Sequence, residues 1–183
     1  MAITTDMIKQ LRAATGAGIM DAKRALEEND GNIDKATDFL RQQGLAKAGK
    51  KADRTATDGL VDTYIHAQGR IGAMVEVSCE TDFVARTEDF KALAKDVSMQ
   101  VAAMSPRFVN REDIDEETWG ELEREFGDRD SAAKAVVLTE QDFIKDPKKN
   151  IGNLVTDAIS KLGENIVIRR FARFELGETA SAE

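Results

Sequence analysis

Three features of the sequence predict an α+β fold. The first 44 residues carry three short helical periodicities separated by small residues, two β-branched runs meet at Ala67-Gln68-Gly69, and a third strand-like run occupies residues 166–176. An N-terminal three-helix bundle, followed by a core in which a three-stranded antiparallel sheet packs against helices on one side, satisfies all three. The bundle with its connecting segment is expected over residues 1–54, the core over 55–176 and a flexible tail over 177–183.

Thr4 or Thr5 can cap a first helix that runs through Ile8, Leu11 and Arg12 and ends at Thr15-Gly16. A second helix follows Gly18, with Ile19, Ala22 and Leu26 at i, i+3 and i+7, and ends at Asn29-Asp30-Gly31. Ile19 and Met20 are adjacent, so both cannot enter a narrow core stripe and at least one stands exposed. Asn32 caps a third helix with Ile33, Ala36 and Leu40 on one face, and Gly44 is expected to close it. Residues 45–54 hold Lys47, Lys50, Lys51 and Arg54 without an apolar stripe, which reads as a solvated connecting helix, with an RNA-binding patch as the functional alternative.

The hairpin follows at residues 60–66 and 70–79. Ile71, Ala73, Val75, Val77 and Cys79 share one parity, which places the single cysteine on a buried strand face. His66, the only histidine, falls at the exposed end of the hairpin. Phe90, Leu93, Ala94, Val97, Val101 and Met104 then mark a strong amphipathic helix, with Thr87 as its cap and Glu88 and Asp89 in its first turn. Between strand and helix stands Thr81-Asp82-Phe83-Val84-Ala85-Arg86. Phe83 either plugs that junction or is an aromatic wedge offered to a partner beside a carboxylate. If Thr87 caps the long helix, residues 81–86 form a separate turn, and Phe83 leaves the core stripe.

Pro106 ends that helix, and Ile114, Trp119, Leu122 and Phe126 continue a helical pattern among acids. Residues 127–149 have no clear periodicity. Ile151, Leu154, Val155, Ala158 and Leu162 mark a last helix, stopped by Gly163. In the final strand, alternation puts Ile166, Ile168, Ala172, Phe174 and Leu176 on one face and Val167 and Phe171 on the other.

Composition narrows the function. The net charge of −8 argues against a general nucleic-acid binder, which needs basic residues to displace phosphate counterions. Residues 111–130 hold three basic against ten acidic side chains, either a solvated helix face or an electrostatic match to a basic partner. The glycines of Thr15-Gly16-Ala17-Gly18 lack both the Lys-Ser/Thr of a phosphate loop and a preceding strand, so nucleotide binding there has no basis. One cysteine and one histidine leave no metal cage and no nucleophile–base pair, so no enzyme and no cofactor are expected. With no membrane-length apolar run and no signal-peptide pattern, a cytoplasmic protein is expected.

Three motifs, T-G-A-G-I-M-D-A-K-R-A-L from Thr15, T-D-F-V-A-R from Thr81 and L-G-E-N-I-V-I-R-R-F-A-R-F from Leu162, lie in an order that resembles the elongation factor Ts family. Members are guanine-nucleotide exchange factors for the GTPase elongation factor Tu. The resemblance implies a bundle like the ubiquitin-associated fold. It also implies that Arg12, Ile19 and Met20 face the partner's nucleotide-binding domain, and that Thr81, Asp82, Phe83 and Val84 dislodge the partner's Mg²⁺. The chain resembles the short members, with a truncated helical hairpin near residues 127–149 and Gln141-Asp142-Phe143 where the family has Q-P-F. A homodimer could restore the second α/β unit that long members carry. The alternative function is a nascent-chain or protein-interaction adaptor that uses the bundle alone.

Overall fold

The computed structural model describes residues 2–178; of the expected tail, residues 179–183 lie outside the described residues. Helix α1 (Thr5–Thr15) is capped by the Thr4 hydroxyl, which accepts from the Met7 amide, and ends at a left-handed Gly16. Helices α2 (Ile19–Glu28) and α3 (Ile33–Gly49) complete the bundle around Leu11, Ala22, Ala25, Leu26 and Ala36, all fully buried. Asn32 caps α3 by accepting from the Lys35 amide at 2.9 Å.

Gly44 does not close α3, which continues to Gly49. A glycine in a helix interior costs about 1 kcal/mol relative to alanine, and here packing offsets it. Gly44 is buried against α8 (Ile151–Leu162), where a Cβ would lie 3.4 Å from Thr156 Cγ2. The connecting segment is likewise tied down: Lys51 Nζ donates to the Ile159 carbonyl at 3.2 Å, and Asn165 Nδ2 donates to the carbonyls of Ala52 and Arg54.

The core sheet has the order β1-β2-β5, with β1 (Asp58–His66), β2 (Ile71–Cys79) and β5 (Ile166–Glu175) antiparallel to their neighbours. Helices α5 (Glu88–Met104) and α8 cover one face. Val75, Val77, Phe90, Val97, Val101, Ile151 and Ile166 are buried between the layers. A one-turn helix, α4 (Asp82–Ala85), joins β2 to α5, and Thr87 caps α5 by accepting from the Phe90 amide.

The expected alternation along the last strand fails at Arg169. Val77 pairs with Ile168 but Glu76 with Arg170, so Arg169 is an unpaired extra residue. One inserted residue reverses every later side chain. Ile166 and Ile168 face the core as expected. Beyond the bulge Phe171 packs on the core, opposite Val75, while Ala172 and Phe174 turn outward. The Arg169 guanidinium donates to the Ala56 carbonyl at 2.6 Å, which gives the bulged side chain a fixed partner.

Residues 127–149 complete a helical hairpin and a small ribbon. Helices α6 (Glu116–Phe126) and α7 (Arg129–Val136) enclose their own core of Ile114, Trp119, Leu122, Ala132, Ala133 and Val136. Strands β3 (Asp142–Phe143) and β4 (Asp146–Asn150) then lead into α8. Two buried glutamines fasten the hairpin to α5. Gln141 Nε2 donates to the carbonyls of Ala135 and Met104, and Gln100 Nε2 to that of Asp142.

Candidate partner-binding site

The turn after β2 is built around Thr81. Its backbone is still extended, and its hydroxyl accepts from the Val84 amide at 3.4 Å, which starts α4. That hydroxyl donates its own proton to Glu164 Oε1 at 2.6 Å, while Glu164 Oε2 accepts from the amides of Glu80 and Thr81, each at 3.0 Å. In return, Glu80 Oε1 accepts from the Asn165 amide at 2.6 Å. The Cys79 thiol, fully buried, donates to the Thr81 carbonyl at 3.2 Å. Burial pushes this thiol's pKa up, and the Glu164 charge adds to the shift.

Thr81 and Val84 are half-buried and Ala85 is buried, so three of the first five residues of the turn anchor it. Asp82 pairs with Arg86 at 2.8 Å and keeps half of its side chain exposed. Phe83 is 79% exposed, so it does not plug the junction. A four-residue helix between two covered anchors thus presents one aromatic ring to solvent.

In the bundle, Arg12 Nε donates to the Ala17 carbonyl at 3.1 Å and steadies the turn between α1 and α2. Ile19 and Met20 are both exposed, at 58% and 74%. Ile19 shares the spacing of Ala22 and Leu26, yet it is the first residue of α2 and overhangs the bundle core. The two sets of residues lie on different units, and among the described residues no hydrogen bond or ion pair joins them. A cavity of about 190 Å³ lies where the bundle turn meets the core, lined by Thr15 and Gly16 and by Asp89, Leu93 and Asp96 of α5, and none of the seven candidate residues lines it.

The other candidates offer less chemistry. Lys47 pairs with Asp21, Lys51 donates to a helix carbonyl and Arg54 pairs with Glu80, which leaves the exposed Lys50 as the one of the four with no such partner among the described residues. The 560 Å³ cleft between bundle and α8 mixes both signs of charge, with Lys149 paired to Asp157. His66 is exposed and stacks on Tyr64. Among the described residues no group of three His, Cys, Asp or Glu side chains is placed to hold a metal ion, and no helix is long and apolar enough to cross a membrane. The acidic segment folds on its own arginines. Arg129 bridges Glu116 and Glu123 with its guanidinium 5.4 Å from the Trp119 ring, and Arg111 bridges Asp130 and Glu140.

A sequence model of the family described as Elongation factor TS matches residues 46–133. The chain is 50% identical to an elongation factor Ts of Carboxydothermus hydrogenoformans over 196 aligned positions, which cover 96% of this chain and 90% of that protein. It is 48% identical to one of Syntrophomonas wolfei, covering 99% and 94%, and 45% identical to one of Geobacter sulfurreducens, covering 97% and 91%. The chain belongs to the elongation factor Ts family. It is thereby a translation elongation factor. Within the first alignment, 96% of 183 residues occupy 196 positions, so that elongation factor Ts carries about 20 residues that this chain lacks.

Reading along the sequence missed Glu164 and Asn165 as part of the candidate site. Their signal lay in the motif that carried the resemblance, directly after the helix-stopping Gly163.

Proposed function

We propose that the chain binds elongation factor Tu in its GDP form, displaces the GTPase's Mg²⁺ and promotes GDP release so that GTP can bind. Family membership supports the partner, and the outward ring of Phe83 on an anchored turn supports the mode. On this reading Phe83 and Asp82 enter the switch side of the GTPase, Thr81 and Val84 hold them in place, and Arg12, Ile19 and Met20 meet its nucleotide-binding domain. The Mg²⁺ belongs to the partner, and this chain performs no covalent chemistry. Its setting is the cytoplasm, where translation takes place.

Linkage constrains the mechanism. A factor that weakens GDP binding by some ratio is itself held less tightly by the GDP-bound partner by that same ratio, so it prefers the nucleotide-free state. The test is release of a fluorescent GDP analogue from purified elongation factor Tu. Acceleration by catalytic amounts of the chain is expected; no acceleration would sink the reading and leave the adaptor function of the bundle.

A second copy of the chain is the proposed occupant of the outer sheet face. Ile65, Gly72 and Phe174 form one row across the sheet and Thr63, Met74 and Ala172 the next, with Ile65, Met74 and Phe174 each more than half exposed. Val61 of β1, 58% exposed, joins them in the row of Glu76 and Arg170, whereas Phe171 turns to the core and not outward as strict alternation implied. Glu76 and Arg170, paired at 2.7 Å, border the patch with complementary charge.

A further inference from the structure

We infer that Glu164 is the residue that positions Phe83. The inference rests on the reading that Phe83 enters the partner, and it concerns how a ring on a single helical turn keeps one direction. One turn of helix does not hold itself together in water, because nucleation costs more than one turn of hydrogen bonds returns. α4 must therefore be fixed from outside.

Glu164 supplies that support from the loop between α8 and β5, 84 residues further along the chain than Glu80. Its carboxylate takes up three donors, the Glu80 and Thr81 amides that directly follow β2 and the Thr81 hydroxyl. The last contact sets more than distance. A hydroxyl has one proton, and with that proton on Glu164 the Thr81 oxygen faces the Val84 amide with a lone pair. The carboxylate thus both grips the strand end and turns the cap toward α4. Glu80 and Asn165 complete the clasp in the opposite direction, so the entries to α4 and β5 hold each other. The Phe83 ring is 79% exposed, and its direction follows from the backbone these groups fix. A binding group misplaced by a fraction of an ångström loses its effect on the step it serves.

The experiment is a two-by-two set of full-length chains, Phe83→Ala and Glu164→Ala singly and together, measured for GDP release from elongation factor Tu across a range of chain concentrations. Glu164→Ala is expected to lower the maximal rate by about tenfold or more, with a much smaller change in half-saturating concentration. In the Phe83→Ala background the same change should have little further effect, because residues acting through one group are non-additive. A purely structural role predicts the contrary, equal losses in both backgrounds, and that result would overturn the inference. Glu164→Gln guards against a folding failure. It keeps the volume but reverses one hydrogen bond, so it should show the same non-additive loss in a chain with native circular dichroism; full activity of Glu164→Gln overturns the inference too. Should Phe83→Ala itself leave release unchanged, the wedge reading falls and this inference with it, whereas a slow Phe83→Ala beside an unaffected Glu164→Ala removes the inference alone.

Discussion

Gly44 of α3 and Thr156 of α8 meet where bundle and core join, with room for a methyl group and little more: a Cβ would sit 3.4 Å from Thr156 Cγ2. Gly44→Ala is therefore expected to raise stability, by up to about 1 kcal/mol from helix propensity. Gly44→Leu should lower it by roughly 1–3 kcal/mol through overpacking. Thermal denaturation of the two variants reads both signs, and a loss in Gly44→Ala would mean that the helices are closer than described.

Phe83→Ala separates a ring held for a partner from a ring held for the fold. An exposed side chain changes stability by no more than about 0.5 kcal/mol when truncated, against roughly 3–5 kcal/mol for a buried phenylalanine. The expected result is an unchanged melting curve with GDP release slowed by a large factor.

Cys79→Ser should do the reverse. It places a hydroxyl in a fully buried site, at a cost of roughly 1–3 kcal/mol, and the new group still donates to the Thr81 carbonyl. Denaturant titration should show the loss, and GDP release should stay near the parent's. A stable Cys79→Ser chain with no exchange activity would contradict the placement of Cys79 in the core.

The α6–α7 hairpin carries a pH dependence and its own reporter. The Thr118 amide on Asp115, the Arg129 guanidinium on Glu116 and the Ser131 amide on Asp128 hold all three carboxyls below their ordinary pKa values. A carboxylate with a depressed folded pKa contributes stability that is fully present above its unfolded value of about 4 and is lost as pH falls through the lowered one. Trp119, the only tryptophan, is buried inside the hairpin. Its fluorescence should be flat from neutrality down to about pH 5 and should shift to the red below about pH 4. Arg129→Gln should make the dependence shallower, since Glu116 then titrates alike in both states.

Assembly through the outer sheet face is readable by sedimentation. At micromolar concentration a species heavier than the 20.1 kDa monomer is expected, and Phe174→Glu should dissociate it. A monomeric parent with full exchange activity would remove the dimer as a requirement.

Much of this architecture is local and was readable along the chain. Thr4, Asn32 and Thr87 cap the helices they precede, Gly163 ends α8, and the parity of residues 71–79 buries Cys79, because caps and side-chain periodicity depend on near neighbours alone. Phe83 stood at the limit of that reading, its exposure inferred from where the next helix had to start. What remained was decided by residues far apart in sequence. Two successive arginines, Arg169 and Arg170, were the one mark of a bulge that only pairing with β2 reveals. Glu164 became part of the candidate site because β5 brings the end of α8 beside the end of β2. Gly44 could stop a helix or pass through one. A glycine continues a helix only where packing outweighs its lost propensity, and α8, more than 100 residues away, supplies that packing.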